Sequence, residues 1–172
     1  MKAQGAIWSV CRLLLLGSVL CVCVACGSVI SKDVRQTADL SLHFGTVVGN
    51  PPAYTGKVVL WAGTVLEATN LAEATRLIIL HFPRGSRDRP LTQRATGGRF
   101  VVLAPGYLET AVYRAGRAIT VVGEIRGQQE LPLGDTTYRY PVLEPRELYL
   151  WQEGYAEPRV HFGFGFGFHH RF

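Results

Sequence analysis

From Gly56 onward, apolar and polar residues alternate in short runs that are bounded by glycine and proline. Five such runs occupy residues 57–69, 75–83, 98–106, 117–127 and 136–151. They are rich in β-branched and aromatic residues, which favour strands, and the glycines and prolines between them mark turns. Five strands within about 100 residues are typical of a sandwich or a small barrel. A helix is an alternative to a strand only at residues 70–77, and that stretch is short.

The first and fourth runs repeat one pattern. Residues 56–67 read GKVVLWAGTVLE and residues 116–127 read GRAITVVGEIRG, so glycine starts each copy and recurs at its eighth position. The alternating residues around the inner glycine predict one inward face: Val59, Trp61, Val65, Ile119, Val121 and Ile125. Glycine inside a strand often marks a bulge or bend, so Gly63 and Gly123 predict strands that coil sharply. A chance match is the alternative, and no third copy supports a solenoid.

These observations predict an all-β fold, a small OB-like curled barrel of five or six strands. OB-folds bind oligonucleotides or oligosaccharides on one face, but a fold alone does not give a function. A short N-terminal helix is predicted before the barrel, because apolar residues recur with helical spacing at Leu40, Phe44, Val47 and Val48. Asp39 is placed to cap it, and Gly49, Pro51 and Pro52 end it. An irregular strand is the alternative.

The N-terminus predicts export. Residues 13–24, LLLLGSVLCVCV, carry no charge and follow Lys2 and Arg12, which is the pattern of a signal peptide. The run is shorter than the ~20 residues that a membrane-spanning helix needs. All four cysteines lie within the first 26 residues, at positions 11, 21, 23 and 26. The rest of the chain therefore has no cysteine with which to build a disulfide framework.

Residues 23–26, CVAC, resemble the lipobox of bacterial lipoproteins, because small Ala25 precedes Cys26 at the end of the apolar run. The resemblance implies cleavage before Cys26 and attachment of lipid to it, although Cys23 stands where leucine is usual. An ordinary signal peptide is the alternative. Gly27 and Ser28 follow where an aspartate would retain the lipoprotein in the inner membrane, so they imply sorting to the outer membrane of a Gram-negative bacterium.

The predicted organisation is a lipoprotein signal peptide at residues 1–25, a lipidated tether at 26–37, a β-barrel domain at 38–152 and a flexible tail rich in Gly, Phe and His at 153–172. Without Lys2 and Arg12, the 18 basic residues become 16 against 13 acidic ones, a formal charge of +3. That charge is too small to indicate a nucleic-acid partner, and it suits a surface near anionic lipid headgroups.

A loop between the second and third runs concentrates arginine. Its members are Arg84, Arg87, Arg89, Arg94 and Arg99, with Asp88 as the one acidic residue among them. Guanidinium groups bind phosphates and carboxylates through paired hydrogen bonds, so this loop is a candidate anion contact for lipid, lipopolysaccharide or peptidoglycan. A solvated loop that keeps the protein soluble is the plainer interpretation.

The tail alternates Gly with Phe162, Phe164, Phe166 and Phe168, a composition that builds no packed core. A disordered adhesive tail is one interpretation, and insertion of the phenylalanines into a membrane interface or a partner is another. His161, His169 and His170 are weak candidates for metal ligands, since no third ligand stands at a firm spacing. His43 and His81 lie singly within apolar segments, which favours structural roles over metal ligation.

Recognised catalytic motifs are absent from the sequence, and its carboxylates are scattered over separate elements. Neither an enzyme nor a cofactor is predicted, and a hydrolase of envelope polymers is the least favoured hypothesis. A cysteine nucleophile is excluded in the processed chain, because Cys26 is its one cysteine and carries the predicted lipid.

Residues 38–151 resemble the Slp family of outer-membrane lipoproteins. The landmarks are GRF at 98–100, GYLE at 106–109, GRAITVVG at 116–123 and YRYPV at 138–142. Tyr107 and Glu109 depart mildly from the family's usual Phe and Asp. The resemblance implies an envelope lipoprotein linked to starvation or stress and anchored through Cys26, and it brings no reaction or ligand with it. The predicted role is non-catalytic, through binding an envelope protein, lipopolysaccharide or peptidoglycan. A small-ligand or metal-binding periplasmic module that uses the tail histidines is the alternative.

Overall fold

The computed structural model describes residues 27–153, which form five strands and two short α-helices. The strands are β1 (Val58–Asn70), β2 (Ala74–Phe82), β3 (Gly98–Pro105), β4 (Ala118–Leu133) and β5 (Thr136–Leu150). The helices are α1 (Lys32–Gln36) and α2 (Phe44–Val48). All five predicted strands are confirmed, and β4 runs beyond its predicted end at Gly127 to form a long hairpin with β5.

The strands close into a barrel in the order β1-β2-β3-β5-β4, with β4 pairing back onto β1. Neighbours are antiparallel except β3 and β5, which pair in parallel at Val101–Val142 and Val102–Leu143. Closure removes the free strand edges that would otherwise invite pairing with other chains. The predicted all-β, OB-like barrel is therefore confirmed as a closed five-stranded barrel.

The barrel interior holds the residues that alternation predicts there. All six predicted inward residues of the repeated pattern belong to one buried core, and Leu77, Ile79, Phe100, Val102 and Leu143 complete its wall from the other strands. Phe44 and Val47 of α2 enter the same core, where Phe44 meets Trp61 edge to face with ring centroids 5.0 Å apart. The interior is thus filled by side chains.

The two copies of the repeated pattern lie side by side. In the antiparallel pairing of β1 with β4, Trp61 faces Val121, Gly63 faces Ile119 and Gly123 faces Val59. A Cβ on Gly63 would overlap the carbonyl oxygen of Leu80 on β2, and one on Gly123 would lie 2.9 Å from that of Glu144 on β5. The repeat therefore places one glycine at each outer flank of the strand pair, where a neighbouring backbone approaches too closely for a side chain.

The inner glycines predict a bulge or a bend in each strand, and a shift of register occurs at only one of them. The pairing of β4 with β5 shifts register between Val122 and Gly123, as predicted. Gly63 lies in regular pairing with both neighbours, and the shift in β1 falls between Val65 and Glu67. Close backbone approach, and not a bulge, explains Gly63.

The predicted N-terminal helix is shorter than its sequence pattern suggests. Helix α2 begins at Phe44, and Leu40, predicted on its apolar face, is 41% exposed. Asp39 does not cap the helix: its carboxylate accepts hydrogen bonds from the backbone N–H and hydroxyl of Ser41, which lower the pKa of Asp39. Across residues 27–153, no helix has the length and apolar character to span a membrane.

Candidate functional site at the N-terminal junction

The residues that follow the predicted lipidation site lie against the outer wall of the barrel. Ile30 is buried there with Val58, Leu60 and Val122, and Val34 of α1 packs against the same cluster. These strand residues point away from the barrel interior, so residues 29–38 cover an apolar surface that water would otherwise contact. The described part of the predicted tether is therefore folded onto the barrel, which differs from a free linker.

Asp88 joins this N-terminal segment to the β2–β3 loop. Its carboxylate is nearly inaccessible to solvent and accepts hydrogen bonds from three side chains. Ser28 Oγ donates over 2.6 Å, Arg84 Nη1 over 2.5 Å, and Arg35 donates through Nε at 3.1 Å and Nη2 at 3.2 Å. Two guanidinium groups and one hydroxyl thus satisfy a single buried carboxylate, as a buried charge requires.

The backbone of the same loop is held in an uncommon conformation. Arg87 and Asp88 have φ values of 53° and 64°, in the left-handed region that residues other than glycine seldom adopt. The carbonyl oxygen of Asp88 accepts a hydrogen bond from Thr120 Oγ1 at 2.8 Å, and that hydroxyl accepts one from Trp151 Nε1 at 3.0 Å. Contacts on both sides of Asp88 therefore hold the strained turn against β4 and the end of β5.

A second clasp fixes the start of α1. Glu147 of β5 accepts hydrogen bonds from the backbone N–H of Ser31 at 3.0 Å and from its hydroxyl at 2.5 Å. Asp88 binds Ser28 and Glu147 binds Ser31, so the two carboxylates fix the chain on both sides of Ile30. We call Ser28, Ser31, Arg35, Arg84, Asp88 and Glu147 the junction.

Two grooves flank the junction and share Arg35, Gly85 and Asp88 as lining residues. The larger, of about 770 Å³, begins at Gly27 and is lined by Lys32, Arg87 and Glu147 among others. The smaller, of about 580 Å³, opens at one end of the barrel beside α2. Its lining includes His43, Phe44, Trp61, His81 and Arg84. Both offer charged groups beside apolar surface, which suits binding of a polar partner.

His81 is the unusual group of the smaller groove. Its ring stacks on Phe44 at a centroid distance of 4.3 Å, and its buried Nδ1 has no hydrogen-bond partner. Burial lowers the pKa of His81 to about 4, and the positive charge of Arg84 adds to the effect. The structural role predicted for His81 agrees with this packing, but its hydrogen bonding is incomplete. His43 is exposed at the start of α2.

The structure separates the five arginines of the predicted anion loop. Arg84 is committed to Asp88, and the guanidinium carbon of Arg89 lies 5.0 Å from the ring centroid of Trp151. Arg87 is exposed and lines the larger groove, whereas Arg94 and Arg99 line neither groove. Of the other predicted residues, Ser28 belongs to the junction and Gly27 lines the larger groove, while Cys26, His161, His169 and His170 lie outside the described residues.

Sequence reasoning missed three members of the junction, namely Ser31, Arg35 and Glu147, and it missed the central role of Asp88. A signal for the folded segment was present, since Ile30, Val34 and Ala38 recur at a spacing of four. Among residues 27–153, no three His, Cys, Asp or Glu side chains are grouped as a metal ion requires. The contacts found at the junction are those of a structural clasp with adjoining grooves.

The chain is similar to a family of known proteins. The model of a family described as "Outer membrane lipoprotein Slp family" matches residues 23–167. An uncharacterized lipoprotein of Escherichia coli, YeaY, is 30% identical over 105 residues, which cover 61% of this chain and 54% of that protein. An uncharacterized protein of Haemophilus influenzae is 29% identical over 96 residues, which cover 55% and 52%. The matched region thus spans about half the length of these relatives. No solved structure matches.

Proposed function

Because the chain belongs to the Slp family of outer membrane lipoproteins, we propose that it is a non-catalytic envelope protein whose barrel is held close to the outer membrane by lipid on Cys26. In that position it binds an envelope partner and serves envelope maintenance under stress or starvation. Gly27 and Ser28 direct it to the outer membrane.

The junction is the observation that carries this proposal. Ser28, two residues after Cys26, is bonded to Asp88 on the barrel. Two residues of extended chain reach at most ~7 Å, whereas a free linker from Cys26 to Thr37 would reach ~40 Å. In this proposal, acyl chains on Cys26 therefore hold the barrel against the headgroups instead of letting it move at the end of a free linker.

The surface beside the anchor suits that position. Lys32 and Arg87 are exposed along the larger groove, which starts at Gly27. Anionic headgroups attract such residues by about 1 kcal/mol each within a Debye length of the surface. We therefore assign the anion contact predicted for the arginine loop to Arg87, together with Lys32. Arg94 and Arg99 are left out of it because they line neither groove.

Binding, and not chemistry, is the role that the described residues support. The carboxylate at the centre of the junction is occupied by two arginines and a serine, so it is not positioned to transfer protons. The grooves beside it stay open and present charged and apolar groups to a partner. The smaller groove, with its neutral His81 and the adjacent Arg84, is the proposed partner surface.

The anchoring test uses the full chain in a Gram-negative host. We expect the wild-type product to begin at Cys26, carry acyl mass and fractionate with the outer membrane, and Cys26→Ser to accumulate as an uncleaved, unlipidated precursor. Cys11→Ser, outside the lipobox and the apolar run, is the matched control and leaves processing unchanged. Unacylated wild-type protein in aqueous extract, or normal acylation of Cys26→Ser, contradicts the proposal.

The partner test places a photo-crosslinking residue in the smaller groove of the lipidated protein in intact envelopes. Position His43 is exposed at its rim, and Asp135, in the exposed turn between β4 and β5, provides the control position. We expect a defined crosslinked band from His43 that Asp135 does not give. The same products from both positions, or none from either, contradict partner binding at this groove.

A further inference from the structure

A third cavity gathers arginines that are far apart in the sequence. It is a pocket of about 380 Å³ between the β2–β3 loop, the β3–β4 loop and the residues after β5. Arg89, Arg114 and Arg117 all line it, together with the hydroxyl-bearing Thr64 and Thr92. We call these three arginines with Glu153 the arginine pocket.

A carboxylate already sits among the arginines. Glu153 Oε1 lies 2.5 Å from Arg114 Nη2 and 3.5 Å from Arg117 Nε. Arg114 and Glu153 are both more than half exposed, so this contact exchanges readily with solvent. The arrangement shows that a carboxylate fits between the two guanidinium groups, and that the one now present is weakly held.

The other arginines are fixed before any ligand arrives. Arg117 donates from Nη1 to the carbonyl of Val112 and from Nη2 to that of Trp151, both at 3.0 Å. Its buried Nε makes no hydrogen bond in the structure. Arg89 is held over the ring of Trp151. A fork oriented by backbone carbonyls, with one donor unused, is prepared to receive an acceptor with little loss of side-chain entropy.

Charge in the pocket is unbalanced. Arg114 and Arg117 share the single carboxylate of Glu153, and that side chain is more than half exposed. An external carboxylate therefore competes with a weakly held partner here, whereas Asp88 at the junction is buried between its two arginines.

From this geometry we propose that the arginine pocket binds a carboxylate-bearing ligand and that Glu153 is an internal stand-in that the ligand displaces. The ligand's carboxylate accepts from Arg114 and from Arg117 Nε. This site does not depend on lipid anchoring or on the grooves at the junction.

The test measures binding to the full-length processed protein in detergent by calorimetry. The probe is the dipeptide N-acetyl-alanyl-alanine, and the matched control ligand is the same dipeptide as its carboxamide. We expect saturable binding of the acid and none of the amide, with a shift of the Arg117 Nε–Hε resonance in the NMR spectrum. Inorganic phosphate forms a third arm, and tighter binding of phosphate than of the acid would overturn the assignment to a carboxylate.

Variants separate a binding site from a clasp. Arg114→Gln removes a guanidinium whose described partner is Glu153, and should weaken binding about tenfold, the effect of losing one charge-assisted hydrogen bond. Glu153→Gln should tighten binding several-fold by removing the competitor. Arg139→Gln, an exposed arginine paired with Glu130 on the hairpin, should change nothing.

Two results would overturn the proposal. If neither the wild type nor Glu153→Gln binds the acid while Glu153→Gln lowers the unfolding midpoint, the pocket is a structural clasp only. If Arg114→Gln and Arg139→Gln weaken binding equally, the attraction is general electrostatics and not this site.

Discussion

Replacing Asp88 with Asn removes the charge at the centre of the junction while keeping the shape of the side chain. Arg35 and Arg84 then face a neutral amide, and their guanidinium groups lose charge-assisted hydrogen bonds of 2.5–3.2 Å. We expect two effects: a lower free energy of unfolding and release of residues 28–37 from the barrel wall.

The size of the effect follows from burial. Removing one partner of a fully buried ion pair costs about 3–5 kcal/mol. Asp88 has only 6% of its side chain exposed, but Arg35 and Arg84 keep 32% and 23% and can recover water. The cost is therefore discounted for solvation to about 2 kcal/mol, a large fraction of the roughly 5–15 kcal/mol that stabilises a typical domain.

Urea unfolding measures the global effect, and amide hydrogen exchange of residues 28–37 measures the local one. Asp135→Asn, in the exposed turn between β4 and β5, is the matched control and should change neither. An unfolding midpoint equal to that of the wild type, with unchanged protection at residues 30–36, would refute the role assigned to Asp88.

Three further predictions test other parts of the account. Ile30→Ala should lower the free energy of unfolding by about 2 kcal/mol, the low end for a buried isoleucine, because Ile30 packs on the outer wall of the barrel. Urea unfolding measures this change, and an unchanged midpoint counts against burial of the segment. Gly63→Ala should cost at least about 2 kcal/mol through overlap with Leu80, whereas Gly45→Ala, which meets open space in α2, should be neutral or slightly stabilising in the same assay. Protonated His81 is disfavoured in the folded state, so its contribution to stability should fall by about 3 kcal/mol as the pH drops from about 6.5 to about 4, and level off below. His81→Phe should flatten that part of the pH profile of the free energy of unfolding, and an unaltered profile argues against the lowered pKa.

The strands and the barrel interior could be predicted because both follow from the pattern of residues that are neighbours in the sequence. Alternation assigns Val59, Trp61 and Val65 to one face, and closure of the barrel puts that face inside. The uninterrupted run VVLW at 58–61 makes both faces of the strand apolar, and such a strand needs a cover on its outer side. The N-terminal segment supplies that cover for Val58 and Leu60.

The junction could not be predicted because its partners are distant in the chain. The arginine loop has a high density of charge, but the sequence does not show that Asp88 turns toward Arg35, which lies 53 residues earlier. The arginine pocket is similar, since Arg114 and Arg117 meet Glu153 only after the barrel has closed. Local sequence patterns therefore predict the architecture, whereas the sites form through polar contacts between residues that are distant in the chain.

Neutron reflectometry of the purified lipidated protein on a supported bilayer tests the central claim most directly, because it measures the thickness of water between the headgroups and the protein. Clamping of the barrel next to the proposed lipid anchor predicts a protein layer that contacts the headgroups, within the ~7 Å that two residues span. It also predicts a wider gap for Asp88→Asn. A water layer of ~20–40 Å beneath the wild-type protein, the range expected of a free linker from Cys26 to Thr37, would contradict the account.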